Sequence, residues 1–490
     1  MRKSFLLTVI VLLCLSLVQP VWALNNVSDS TALFKEILQY VYENHLDTPK
    51  LDTLVNGAVD GMLNSLNDPY SEYLTQDNLD ELKFSLNGDF VGIGIRLDFK
   101  DDLIYAKEVI TDSPAFNAGI ENGDVLLKVD GKNIAGFSIV DVVHMIRGPK
   151  GSSVVINILR DDKRIDFSVN RDIVNMPTVE FEMLQDKTGY VVVESFGSDT
   201  AKEFSVAIAS LRASGMRSLI LDLRNNTGGY LIAAIDIAGH FIKHSDPVVK
   251  VVDRNGKSDV FLSEGKAEVK GLPVVILTNE LTASASEVLA GALHDYKLAN
   301  LIGDRTYGKG VVQNVIPLEK GGALKLTVAK YMTPLEHDLN LVGLKPDVSV
   351  LTTSLQLPIA QQLLNPPTDR FVEFNVGQQE VLVNGEAIEN ESLPFISDGQ
   401  VFLPLRFALE ALLYEVVWPS EESGDGIEIT GYNNSLVLFP NEKLARLNGQ
   451  ETNLSSGVMI KDGVSFISAK DMEVLNIHVS VNNGKIRLEN

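Results

Sequence analysis

The chain has 490 residues, enough for three or four domains, and 45% of them are hydrophobic, so packed cores are expected. The formal net charge is −23 with no basic block to offset it, which argues against a nucleic-acid partner and against charge-driven binding to anionic lipid. The only cysteine is Cys14, so a mature chain that lacks it has no disulfide, no thiolate nucleophile and no cysteine-bound metal.

The chain begins with a pattern typical of an export signal. Arg2 and Lys3 precede the apolar run 5–15, and a small-residue cleavage pattern ends near Ala23. An uncleaved N-terminal anchor is the alternative, but the run is short for a membrane span and no charged stop follows it. We predict that residues 1–23 are a signal peptide and that the chain is exported, either to the cell envelope or into the medium.

Residues 24–85 are predicted to be helical. Apolar side chains recur at helical spacing in 34–42 and again in 54–66, and a turn signal at 68–71 precedes another short helix. The apolar faces of these helices either form the interface of a homodimer or pack on the body of the same chain. The sequence leaves both possibilities open.

Residues 86–172 alternate short strands with two short helices. The segment Val91-Gly92-Ile93-Gly94 enters the first strand. Glycine lets successive backbone N–H groups point at an anion, so this turn is a candidate binding site for the terminal carboxylate of a peptide that adds as a strand to an open edge. The alternative is that these glycines only turn the chain.

Residues 173–355 alternate strands and helices, which favours a largely parallel sheet with helices on its faces. In such sheets the loops at the carboxyl ends of the strands carry the functional groups. Two loops have this position. Gly228-Gly229 follows the apolar strand 218–223, and Ser284 follows the apolar strand 273–277.

Ser284 stands at a predicted strand-to-helix turn and has two interpretations. With Glu287, three residues further on, it fits a capping box, and most serines in this position only cap the helix. A hydroxyl at this turn is also exposed near the positive end of a helix, where it becomes a nucleophile if a base lies close.

Lysine is a better candidate base than histidine. None of the seven histidines lies in a recognisable partner motif, so a Ser-His-Asp triad has little support. Lys309 is flanked by glycines and followed by an apolar run, and desolvation of such a lysine favours the neutral amine that accepts a serine proton. Gln313 lies an even number of residues further on, so on a strand it would face the same side and hold the amine in line. A solvated loop lysine is the simpler alternative.

Together these motifs resemble the carboxyl-terminal processing peptidases of family S41. These are exported Ser-Lys endopeptidases with a PDZ domain beside an α/β core of ClpP/crotonase-like type. The resemblance covers roughly residues 30–350, in the family's order. It is carried by the segments 68–74, 91–94, 113–115, 118–119, 123–126, 222–229, 282–287, 308–313 and 343–347.

The resemblance implies a role for each candidate residue of the core. Ser284 would be the nucleophile, Lys309 the general base and Gln313 its orienter. The oxyanion would be bound by backbone N–H groups, those of Ala285 and of Gly228 or Gly229.

In residues 86–172 the resemblance implies a PDZ domain of the permuted form found in bacterial proteases. Val91, Gly92, Ile93 and Gly94 would bind the end of the peptide, and Arg147 would couple peptide binding to assembly of the active site. The core departs from the family at Thr227, where proline is usual, and at Thr282, where serine is frequent.

The last part of the chain has a different composition. Residues 356–370, which include Pro366-Pro367, are predicted to be a linker. Residues 371–490 contain a weak internal repeat of hairpins and short helices and resemble the copper amine oxidase N-terminal-like stalk domain of exported Gram-positive proteins. A binding or spacer role in contact with the cell wall or envelope is one interpretation, and a domain that only shields the core is the other. No metal is expected, because His478 is the unit's only histidine.

These observations predict a multidomain α/β and α+β protein with N-terminal helices, a PDZ domain, a protease core that is discontinuous with the N-terminal region, and a C-terminal α+β stalk domain. We expect an exported serine endopeptidase that recognises the C-terminal tails of unfolded or partner proteins, works as a homodimer and needs no cofactor. A catalytically silent PDZ and stalk scaffold at the cell envelope is the alternative.

Overall fold

The computed structural model describes residues 26–87, 89–100, 103–418, 426–482 and 484–490. The predicted signal peptide and Cys14 lie outside the described residues. Within the described ranges, no helix is both long and apolar enough to cross a membrane.

The N-terminal segment is helical, as the apolar spacing predicts. Its elements are α1 (Val27–Asn44), α2 (Leu51–Asn64), strand β1 (Glu72–Leu74) and α3 (Gln76–Leu86). No side chain of α1 is buried against any part of the chain that the structure describes, and Phe34 and Ile37 on this helix are exposed. This segment therefore has an open apolar face on α1, whereas β1 joins a sheet of the core.

The predicted PDZ domain forms a six-stranded antiparallel sheet with two short helices. Its elements are β3 (Ile95–Lys100), β4 (Leu103–Val109), α4 (Pro114–Ala118), β5 (Val125–Val129), β6 (Lys132–Asn133), α5 (Ile139–Ile146), β7 (Ser153–Arg160) and β8 (Lys163–Asn170). Ser113 caps α4 by accepting the Phe116 N–H, and Gly119 ends this helix at a φ of 94° that favours glycine. A ribbon of β2 (Asp89–Gly92) and β9 (Asp172–Asn175) joins the domain to the core.

The core is built on a six-stranded sheet in the order β10-β11-β12-β15-β16-β19. Its strands are β10 (Val179–Met183), β11 (Thr188–Val193), β12 (Ser218–Asp222), β15 (Val274–Thr278), β16 (Asn300–Gly303) and β19 (Val348–Ser349). Only the β10-β11 pair is antiparallel, which confirms the predicted, largely parallel sheet. One face is covered by α6 (Thr200–Ala213), α7 (Leu231–Ala238) and α8 (Ala285–Asp295).

A second, antiparallel sheet lies beside the first and carries the lysine segment. Its strands are β13 (Pro247–Asp253), β14 (Ser258–Leu262), β17 (Val311–Pro317) and β18 (Ala323–Met332). Strand β18 pairs with β17 along one edge and with β13 and β1 along the other. The N-terminal segment is thereby built into the core.

The prediction of a linker over residues 356–370 is wrong for most of that range. Thr353–Leu364 forms helix α9, which buries Leu355 and Ile359 against the second face of the parallel sheet. The apolar residues of this segment lie at helical spacing, and the helix accommodates Pro358. The proline pair that indicates a linker ends the helix instead, so only residues 365–370 connect the two domains.

The C-terminal domain is α+β, as predicted. Its elements are β20 (Phe371–Asn375), β21 (Glu380–Val383), β22 (Glu386–Glu389), β23 (Phe395–Ser397), β24 (Gln400–Pro404), α10 (Leu405–Glu410), β25 (Glu415–Val417), β26 (Ile427–Gly431), β27 (Asn434–Leu438), β28 (Leu444–Leu447), β29 (Gln450–Asn453), β30 (Val458–Lys461), β31 (Val464–Ser468), the 3-10 helix Ala469–Leu475, β32 (His478–Asn482) and β33 (Lys485–Glu489).

This domain is docked on the core and shares its interior. Leu405 and Leu409 of α10 belong to the same apolar cluster as Leu355 of α9 and Ile220 of the parallel sheet. The buried Glu410 carboxylate accepts the backbone N–H groups of Leu351 and Thr352, at 3.1 and 2.9 Å. The domain therefore packs against the sheet that supports the candidate site.

Candidate active site

Ser284 lies at the turn between β15 and α8 in an unusual backbone conformation. Its φ of 57° and ψ of −116° are rarely adopted by residues other than glycine, and such values concentrate at functional sites. The turn packs tightly against Gly228, where an added Cβ would stand 2.8 Å from the Ser284 Cβ. The sequence therefore needs glycine at 228 to let the Gly228-Gly229 loop approach the serine.

Glu287 connects the serine turn to the lysine loop. This side chain is fully buried, and its Oε2 accepts the N–H groups of Ser284 at 3.0 Å and Lys309 at 2.8 Å. Its Oε1 accepts the Thr306 hydroxyl at 2.5 Å and the Gly308 N–H at 2.8 Å. The capping-box interpretation anticipates only the first of these four hydrogen bonds. An acidic residue on a helix turn that is otherwise apolar is the signal that sequence reasoning overlooked.

The Lys309 side chain is half-buried and reaches the cavity that Ser284 lines. The cavity has a volume of 560 Å³ and is also lined by Gly228, Gly229 and Ala285. Burial lowers the pKa of the Lys309 amine from 10.5, the positive charge of Lys325 lowers it further, and Glu287 acts in the opposite direction. The net shift favours the neutral amine. Within the described residues, no hydrogen bond joins this amine to the Ser284 hydroxyl.

The predicted oxyanion donors differ in their availability. The Gly228 N–H donates to Asn226 Oδ1 at 2.9 Å, so this donor is already used. The N–H groups of Gly229 and Ala285 donate no hydrogen bond to any residue that the structure describes. Gly229 has a φ of 145° and sits against Phe196, and an added Cβ would approach the Phe196 oxygen to 2.3 Å. Of the three predicted donors, the pair Gly229 and Ala285 is free to bind an oxyanion.

Gln313 lines the same cavity but does not hold the lysine amine. Its side-chain nitrogen donates to Thr327 Oγ1 at 3.2 Å and to the Val311 carbonyl at 3.4 Å. The even spacing from Lys309 misleads here because β17 begins only at Val311 and its register with β18 shifts between Val312 and Gln313. The shift turns the amide towards β18.

Tyr70, from the N-terminal segment, covers the lysine. The Asp68 carboxylate accepts the Ser71 hydroxyl and the Tyr70 N–H, and the Ser71 oxygen accepts the Thr327 N–H of β18 at 3.0 Å. This turn places the Tyr70 ring with its centroid 5.0 Å from the Lys309 amine. Burial raises the pKa of Tyr70 to about 12, with a further contribution from Tyr307. The sequence identifies this segment only as a turn and a family signature.

The candidate peptide groove of the PDZ domain is a separate cavity of 640 Å³. Gly92, Ile93, Gly94 and Arg147 line it, whereas Val91 pairs with Ile173 in the connecting ribbon and does not. At Gly94 an added Cβ would stand 2.2 Å from the Cβ of Ser113, so this glycine is required by packing as well as by its φ of 81°. Ser85 of α3 also lines the groove, and the same residue lines the cavity of Ser284. Helix α3 therefore borders both cavities.

The described residues contain no group of three or more histidine, cysteine, aspartate or glutamate side chains arranged to hold a metal ion.

Four family models match the chain. They are peptidase family S41 over residues 187–350, a PDZ domain over 105–160, the copper amine oxidase N-terminal domain over 368–423 and 382–489, and the N-terminal domain of the activating protease CtpB over 23–78.

Individual proteins match over most of the chain. A probable CtpA-like serine protease of Staphylococcus haemolyticus is 36% identical over 343 residues, which are 70% of this chain and 68% of that protein. One from Staphylococcus epidermidis strain RP62A is 36% identical over 324 residues, 65% of this chain and 66% of that protein. The chain thus spans about two thirds of the length of these relatives. Among solved structures, a photosystem II D1 C-terminal processing protease is 28% identical, with a TM-score of 0.42, and the match covers 69% of this chain and 97% of that one.

Proposed function

The chain belongs to peptidase family S41 and is a serine-type peptidase, and we propose that it is an exported endopeptidase that cleaves with a Ser284-Lys309 pair. The observation that carries this proposal is the half-buried Lys309 amine, whose pKa is lowered, in the same cavity as the strained Ser284 turn. The fixed link through Glu287 supports it, because both segments are bonded to one carboxylate.

The proposed reaction uses few groups. The neutral Lys309 amine accepts the Ser284 hydroxyl proton as Oγ attacks the peptide carbonyl, and the N–H groups of Gly229 and Ala285 bind the resulting oxyanion. The lysine ammonium then gives its proton to the leaving amine. In the second half, Lys309 deprotonates a water that hydrolyses the acyl-enzyme. Each oxyanion donor contributes on the order of 100-fold or more to the rate.

The rate of cleavage is expected to rise with pH, with a midpoint below the ordinary pKa of lysine. Only the neutral amine accepts the serine proton, and its fraction grows as the pH rises through the pKa of Lys309. Because burial and Lys325 lower that pKa from 10.5, the midpoint of the rise in kcat/KM lies below pH 10.5. Initial rates measured across a pH series give this rising part of the pH profile, its acidic limb, directly.

Two lysine variants test whether the limb belongs to Lys309. Lys325→Met removes the neighbouring positive charge, so the limb moves to higher pH. Lys330→Met removes an exposed lysine of the same strand that does not line the cavity, and it leaves the limb in place. A limb that is identical in wild type and Lys325→Met shows that another group titrates.

We further propose that the PDZ domain selects substrates by a free C-terminus. The groove lined by Gly92 and Gly94 offers glycine backbone beside the open edge of a sheet, which suits a terminal carboxylate and an added strand. The neighbouring Arg147 would sense the bound tail. Substrates would be unfolded or partner proteins whose tails reach the groove.

The test is a pair of fluorogenic peptides that share one sequence and end either in a free carboxylate or in an amide. Loss of charge-assisted hydrogen bonds predicts a kcat/KM about 10- to 100-fold lower for the amide. Acetylating the N-terminus of the same peptide is the control, and it should change nothing. Equal rates for the free acid and the amide would exclude tail recognition while leaving the Ser-Lys proposal untouched.

We also propose that the mature chain begins near Ala23, acts outside the cytoplasm and forms a homodimer, with the C-terminal domain in contact with the envelope. The open apolar face of α1 supports the dimer, since Phe34 and Ile37 are exposed on a helix that buries no side chain against the described residues. Light scattering of the mature chain measures the mass in solution, and a monomeric mass would contradict the dimer.

A further inference from the structure

Tyr331 of β18 carries a buried hydroxyl with no assigned role. The residue is 3% exposed, and its hydroxyl oxygen has no hydrogen-bond partner among the residues that the structure describes. Buried polar groups are almost always paired, because leaving one unpaired costs its full desolvation. An unpaired hydroxyl at such a position is therefore a sign of a partner that is present only at some stage of a reaction.

The position of Tyr331 places this hydroxyl among the reacting groups. It belongs to the same apolar cluster as Val288 and Leu289 of α8, and it lines the cavity shared by Ser284 and Lys309. Its backbone N–H donates to the carbonyl of Gly310 at 3.1 Å, directly after the lysine. Tyr331 is thus fixed both to the helix that begins at the serine and to the loop that carries the lysine.

The environment of the Tyr331 hydroxyl also favours its protonated, neutral form. Burial raises the pKa of Tyr331 well above 10, and the charge of Glu287 raises it further, whereas the nearby Ser284 side chain acts in the opposite direction. The hydroxyl keeps its proton over the whole working range of an enzyme. It can donate a hydrogen bond but cannot serve as a base.

We propose that Tyr331 is a positioning residue whose hydroxyl donates a hydrogen bond to the Ser284 Oγ when the serine is ready to react. A serine hydroxyl has one proton and two lone pairs. A donor on one lone pair leaves the proton free to point at the Lys309 amine, and the same hydrogen bond strengthens as negative charge develops on Oγ. The inference rests on the proposed Ser-Lys reaction and adds a third group to it.

Tyr331→Phe separates this role from simple packing, because it keeps the ring and removes only the hydroxyl. We expect kcat to fall about 10- to 100-fold with KM unchanged, while the melting temperature stays the same or rises because an unpaired buried group is lost. If the tyrosine only fills space, the melting temperature behaves in the same way but kcat equals that of the wild type. That result overturns the proposal.

Tyr296→Phe is the matched control. Its hydroxyl donates to the Pro247 carbonyl at 2.9 Å in the same domain, outside the cavity. This variant should lose stability and keep kcat, the opposite of Tyr331→Phe. Ser284→Ala distinguishes the proposed Ser-Lys reaction from the proposed role of Tyr331. Activity retained in Ser284→Ala refutes the Ser-Lys reaction itself, whereas an inactive Ser284→Ala together with a fully active Tyr331→Phe refutes only the role of Tyr331.

Discussion

Lys309→Met abolishes cleavage of an unfolded protein such as casein and leaves the fold intact. The variant removes the proposed base from the cavity of Ser284, and methionine keeps the apolar stem of the lysine. We expect kcat/KM to fall by about 10⁴-fold or more, since members of a nucleophile-base pair act as a unit. The melting temperature should not fall, because the buried amine is costly to desolvate in the native state.

Two further variants complete this experiment. Ser284→Ala should lose as much activity as Lys309→Met, and the double variant should be no worse than either single one. Lys330→Met changes an exposed lysine in the neighbouring strand and should retain full activity. Casein digestion that continues in Ser284→Ala or in Lys309→Met would remove the basis of the Ser-Lys assignment.

Glu287→Gln is expected to lose both stability and activity. The carboxylate accepts four hydrogen bonds, two on each oxygen, from the serine turn and the loop 306–309. An amide of the same size keeps one accepting oxygen and turns its NH₂ group towards two donors. We expect the free energy of unfolding to fall by about 3 kcal/mol or more, and kcat to fall at least about 100-fold because the two segments are no longer held together.

Urea unfolding and casein digestion measure the two effects. Glu268→Gln is the control, because this exposed carboxylate pairs with Arg212 and His240 on the surface, where such pairs contribute less than about 1 kcal/mol. A Glu287→Gln protein that matches the wild type in both assays would show that the carboxylate does not organise the site.

The predictions from sequence succeed where the signal is local. Apolar runs mark the strands before Gly228 and Ser284, and alternation of strands and helices predicts the parallel sheet that brings these loops to one edge. The strand-to-helix turn at Ser284 follows from the same pattern, since β15 ends at Thr278 and α8 begins at Ala285. Short-range patterns thus locate the serine and the glycine loop.

The predictions fail where the site depends on contacts between distant segments. Gln313 faces Thr327 because of a register shift that no residue spacing reveals. Tyr70 reaches Lys309 only because β1 pairs with β18, and the unpaired hydroxyl of Tyr331 has no sequence signal at all. The prolines at 366–367 similarly lead to the prediction of a linker where helix α9 forms. The packing partners of this helix lie in another part of the chain. Tertiary packing sets these features, and single-sequence patterns do not report it.

The shared interior of the core and the C-terminal domain also has a consequence for the order in which the growing chain acquires its packing partners. Ile486 and Leu488 of the last strand belong to the same apolar cluster as Val275 and Leu277 of the strand that leads to Ser284. Ser284 and Lys309 are therefore synthesised long before β33, which packs in the same apolar cluster as the strand before Ser284. A nascent chain that has only reached helix α9 lacks the residues of this cluster that the C-terminal domain supplies.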